Sequence, residues 1–229
     1  MPDSNPPSIF SKLFRWTIQL FDELSSSGWV AILMKLGDAI GWAISRRAPG
    51  ASYEILDYDL TLELLDRRGK QAVFRRKQKV KFLQDHAIAY QDEAWGAGNV
   101  VAAYHCSPGV PVDVFRVGTR HLILISLRQT KNRGDIVEFN IERKVTDGFT
   151  KMQEWVEVET RYRTRRLRVT VIFPRSRRCL RAWLLTRRAE RTEDLDASHF
   201  NKTADGKDQV TWESSAPKLS ESYALGWDW

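Results

Sequence analysis

The residues with chemistry to offer are few, and their spacing limits them. His105 and Cys106 are neighbours. On a strand their side chains leave opposite faces, so they cannot work as a base and its nucleophile. Cys179 opens an apolar run and reads as core. His86, His121 and His199 stand alone. The chain holds no Gly-x-Ser-x-Gly elbow, phosphate loop, dinucleotide fingerprint or metal-spaced His/Cys set. Glu193, Asp194, Asp196, Asp205 and Asp208 miss the spacing of a helix-loop-helix calcium loop and read as an acidic turn. The sequence therefore predicts no catalytic residue, no metal site, no cofactor, and a protein that is not an enzyme.

Charge is the stronger signal. The net charge is +7, with 36 lysines and arginines in 229 residues. Eight of these cations fall between Arg67 and Lys81, and twelve, all arginine, between Arg161 and Arg191. Arg75, Lys77, Lys79 and Lys81 share one strand face, and Arg175, Arg177 and Arg178 crowd one turn. Such arrays suit phosphate contacts. However, no recognition-helix, RNP or zinc-finger signature accompanies them. Acidic residues alternate on the neighbouring strands. Asp59 is expected opposite Lys77 and Asp57 opposite Lys79, and Glu157 and Glu159 are expected to pair with Arg166 and Arg168. A self-paired outer face is thus preferred to nucleic-acid binding.

The elements that must carry these residues divide at about residue 50. Pro2, Pro6 and Pro7 mark a flexible start. A helical period begins at Ile9, with Phe10, Phe14, Trp16 and Phe21 on or beside the apolar stripe. After Gly28 a second run, Trp29 to Ile44, is apolar almost all round and includes Leu33, Ile40 and Trp42. Lys35 and Asp38 sit near its middle, where each charge would cost about 2.5–3.5 kcal/mol in a membrane. The preferred reading is a helical hairpin over 8–47 whose apolar face docks on protein.

From Ser52 the period becomes two. Leu56, Tyr58, Leu60, Leu62 and Leu64 alternate with the polar Asp57, Asp59, Thr61 and Glu63, Gly69 turns the chain, and Phe74, Val80 and Phe82 come next. Shorter strands are expected at 87–91, 100–105, 112–117, 136–145 and 152–160, with a central one at 122–127. The Arg161–Arg191 stretch reads as a β-hairpin with a cationic turn, residues 192–208 as a long surface loop, and 223–229 as a terminal strand. The expected fold is mainly β: an antiparallel two-sheet sandwich over 51–229, preceded by the helical hairpin within 1–50.

Two cysteines make no disulfide framework, and no signal-peptide pattern is visible, so a cytoplasmic location is expected. The functional expectation is a non-catalytic interaction module or complex subunit. It would dock on another chain or a second copy through 9–45 and present a basic β-domain. Two alternatives stand beside it. One is a membrane-associated protein anchored by 9–45 near anionic lipid; the other is a nucleic-acid binder using the basic stretches.

Overall fold

The computed structural model describes residues 52–229. The helical hairpin expected over 8–47, with Phe10, Phe14, Trp16, Phe21, Trp29, Leu33, Ile40 and Trp42, lies outside the described residues.

From Ser52 onward the chain is mainly β, in keeping with the alternation. The strands are β1 (Tyr53–Leu64), β2 (Gln71–Phe82), β3 (Ala87–Ala94), β4 (Asn99–Ser107), β5 (Val110–Val117), β6 (Arg120–Lys131) and β7 (Ile136–Thr146). They continue as β8 (Gln153–Glu159), β9 (Leu167–Ile172), β10 (Arg181–Thr186), β11 (Arg191–Asp194), β12 (Phe200–Lys202), β13 (Asp208–Ser214) and β14 (Ser222–Asp228). They form three sheets rather than two. Seven strands run in the order β12-β13-β9-β1-β2-β7-β4, four as β11-β10-β14-β8, and three as β3-β6-β5.

The first hairpin has the expected register. Asp57 stands opposite Lys79 and Asp59 opposite Lys77. A one-residue slip would have turned Leu60, Leu62 and Leu64 to solvent, and all three are buried. Gly69 is required in its turn: it has φ +66°, and a Cβ there would lie 1.6 Å from the Phe149 carbonyl oxygen. That contact ties the turn to the β7–β8 loop, as does the bond from Phe149 N–H to the Gly69 carbonyl at 3.1 Å.

The arginine-rich stretch is not a hairpin. β9 pairs in parallel with β1 and antiparallel with β13, whereas β10 belongs to the four-stranded sheet. The segment between them crosses from one sheet to the other. Phe173 is fully buried, with its ring 5.9 Å from Trp227 and 6.2 Å from Trp229. This anchor directs the chain into the second sheet instead of back along the first. The β1–β9 pair also departs from the all-antiparallel expectation.

Residues 192–208 are more ordered than a surface loop. They hold the end of β11, one 3₁₀ turn at Ala197–His199, and β12. The terminal strand is as expected, and it is central in its sheet, between β10 and β8. Among the described residues no helix is long and apolar enough to cross a membrane.

Candidate functional site

The outer face of the seven-stranded sheet carries the first candidate residues. Arg75 bonds Glu63 at 2.7 Å and Glu142 at 2.9 Å, and Lys77 pairs with Glu138 at 3.0 Å. Lys79 and Lys81 also face outward and make no ion pair within 4 Å among the described residues. Arg166 and Arg168 do not reach Glu157 and Glu159. They share Glu213 at 2.7 and 3.0 Å, and Arg166 also reaches Asp57 at 3.0 Å. The reason is strand order. β13 and β1 flank β9, while β8 sits in another sheet. Glu157 instead pairs with Arg187 at 2.9 Å, and Glu159 with Arg120 at 2.9 Å and Arg161 at 3.1 Å.

The cationic turn is largely structural. Arg177 stacks on Trp229, 4.0 Å from the ring centre, and donates to the main-chain oxygens of Arg67 at 3.0 Å and Trp229 at 2.8 Å. Arg175 donates to the Asp205 carbonyl, and Arg178 lies 3.9 Å from Asp208. These three cations close the sheet-to-sheet crossing, so they do not form a row with Arg75, Lys77, Lys79 and Lys81.

The isolated cysteines are half-buried. Burial pushes the Cys106 thiol up to about 11 and the Cys179 thiol up to about 12. At neutral pH both stay protonated and are poor nucleophiles. No group of three or more His, Cys, Asp or Glu residues is placed to hold a metal among the described residues.

Sequence reasoning passed over a different cluster, which lies on the inner face. β2 places Arg76 and Gln78 on the same side as Phe74, Val80 and Phe82, and β7 places Arg143 beside Ile141 and Val145. Arg76 and Arg143 are each 7% exposed, and Asp92, which β3 directs at them, is 4% exposed. Arg76 forms a close ion pair with Asp92, and Tyr104 donates to the other Asp92 oxygen at 2.8 Å. Burial works against the Arg76 charge, yet Asp92 and the tyrosines beside it hold its pKa well above the usual value. The Arg76 Nε–H has no partner among the described residues.

Arg143 is placed differently. Its guanidinium lies 3.9 Å from the centre of the Phe74 ring, and Nη1 donates to the Val100 carbonyl at 3.1 Å. No described carboxylate comes within 4 Å of it. Burial lowers its pKa to about 10, still charged at neutral pH, because Asp92 offsets the desolvation only in part.

Arg76 and Arg143 line a cleft of about 360 Å³ where the three sheets meet. Phe74, Val145, Phe149, Trp95 and Trp155 supply apolar walls. Glu93, Glu154, Glu157, Lys151 and Arg187 line it too; Glu93, Glu157 and Arg187 are in ion pairs, whereas Glu154 and Lys151 make none within 4 Å among the described residues. Glu93 binds Arg120 at 3.2 Å and also Arg161, Glu157 binds Arg187, and Glu154 accepts only the main-chain N–H of Lys151, at 2.7 Å. The cleft has the makings of a binding site: a desolvated cation, a neighbouring acid–base pair and aromatic walls.

A third feature is the free edge of the three-stranded sheet. Among the described residues β5 pairs only with β6. Val112 is 57% exposed, Val114 49% and Phe115 41%.

No protein-family model matches the chain, and no curated protein matches it. Among solved structures it is similar to an M1 zinc metallopeptidase from Deinococcus radiodurans, at 11% identity and a TM-score of 0.44, over 77% of this chain and 42% of that one. It is also similar to Legionella pneumophila aminopeptidase A in complex with aspartic acid, at 13% identity and a TM-score of 0.44, over 77% of this chain and 22% of that one. The chain thus spans less than half the length of either structure.

Proposed function

We propose that this chain is a non-catalytic interaction protein. Its β-domain is a recognition unit, and the apolar stretch 9–45 docks on another protein chain, in the first instance a second copy. The observation that supports this best is β5. Sheet edges attract further strands, and folded proteins protect them with charge, brevity or cover. β11 is a short, wholly polar edge, and β12 is only three residues long. β5 carries Pro111, Asp113 and Arg116, yet it also leaves Val112, Val114 and Phe115 exposed along an edge that has no further strand among the described residues. An extended partner segment would gain main-chain hydrogen bonds and cover these side chains at once. The nucleic-acid reading has less support, because Arg75, Lys77, Arg166, Arg168 and Arg177 are already engaged within the fold.

Light scattering tests the reading. The full chain should exceed its 26.5 kDa monomer mass. A chain starting at Ala51 should be smaller in subunit number, and Val114→Lys/Phe115→Lys should reduce association. Monomers in all three samples at the same concentration would reject self-association as its mode of action.

A further inference from the structure

We infer that the cleft between the sheets is a receptor for an organic carboxylate with an apolar body, held by Arg143. This goes beyond the interaction reading and does not depend on it. A guanidinium taken out of water normally faces a carboxylate, because unpaired burial of charge is costly. Arg76 obeys that rule through Asp92. Arg143 does not: it is equally buried, yet its described partners are one carbonyl oxygen and the Phe74 ring. Its position on the cleft lining leaves that missing counter-charge to a ligand. The Arg76 Nε–H is also buried without a partner among the described residues, and Arg76 lines both this cleft and a second one beside His105 and Cys106.

The surroundings select the class of anion. Arg76 is neutralised by Asp92, so Arg143 is the buried guanidinium without a contacting carboxylate among the described residues. Glu93 and Glu157 on the lining are already paired, and Glu154 is an acid without an ion pair among the described residues, so a monoanion is better matched to Arg143 than a dianion such as phosphate. Phe149 and Trp155 offer an apolar wall for the rest of the ligand, and about 360 Å³ holds a body of amino-acid size. A planar carboxylate matches the guanidinium fork.

Titration calorimetry on the full chain tests this with three probes: N-acetyl-phenylalanine, its uncharged amide, and inorganic phosphate. The acid should bind at least tenfold more tightly than either of the others. Arg143→Met should weaken the acid at least tenfold, and Arg143→Lys should keep part of the binding. Equal binding of acid and amide, phosphate binding as tight as the acid, or no heat with the acid at millimolar concentration would each overturn the inference. Should Arg143→Met fail to fold, the acid–amide comparison on the unaltered chain still decides.

Discussion

Replacing Asp92 with asparagine should damage this protein more than its modest change in shape suggests. Asp92 is 4% exposed, and it is the carboxylate that faces both buried arginines. It accepts from Arg76 and, at 2.8 Å, from Tyr104. Asparagine keeps the volume and one acceptor oxygen but removes the charge. Arg76 and Arg143 would then both lie buried on one cleft with no carboxylate in contact with either among the described residues. Breaking a buried pair from one side costs about 3–5 kcal/mol. For a β-domain of this size that is a fall in Tm of about 6–20 °C. The remedy should be specific. Asp92→Asn combined with Arg76→Met removes the stranded charge and should recover more than half of the loss, since apolar replacement of a whole buried pair is often near neutral. Urea denaturation of the two single variants and the double variant supplies the cycle. An Asp92→Asn cost below about 1 kcal/mol, or losses that merely add in the double variant, would refute the view that this pair holds a desolvated cluster together.

Other predictions probe separate parts of the fold. Gly226→Ala sets a methyl 2.4 Å from the Trp183 indole across the β14–β10 ladder, so it should cost about 1–3 kcal/mol in urea melts. Gly69→Ala meets both a left-handed backbone and the Phe149 carbonyl, and should lower Tm and raise amide exchange in the β1–β2 turn. Cys106 and Cys179, with thiols near 11 and 12, should resist iodoacetamide at pH 8 until denaturant is added. Arg75 and Lys207 hold Glu63 below the usual glutamate value of 4.5, and Arg166 and Arg168 do the same for Glu213. A lowered folded pKa stabilises above the unfolded value and is lost as pH falls through the folded one. Melting temperature should therefore hold steady above pH 5 and drop as the medium is acidified below about 4.5.

The alternation in Tyr53–Phe82 made one register legible, because burying the leucines leaves a single way to pair the strands. The same alternation pointed to the inner cluster. Arg76 falls in phase with Phe74 and Val80, Asp92 with Tyr90 and Ala94, and Arg143 with Ile141 and Val145. A charge in step with a core face is a buried charge, yet attention to the apolar members of each face passes over it. Strand order was not legible. Nothing in the local pattern of Leu167–Phe173 distinguishes a hairpin partner from β1 or β13. That choice rests on contacts distant in sequence, among them Phe173 with Trp227 and Trp229. The pairings assumed for Arg166 and Arg168 failed for the same reason. Carboxylates were available on both sides of β9, and the fold chose among them.

Hydrogen exchange along β5 of the full chain, read by mass spectrometry at low and high protein concentration, is the sharpest test of the interaction reading. Alternate amides of an edge strand point away from its only neighbour. If β5 docks a partner strand, those between Val112 and Val117 should exchange slowly in concentrated protein and quickly after dilution. Fast exchange at both concentrations would contradict it, leaving β5 an exposed edge without a partner strand.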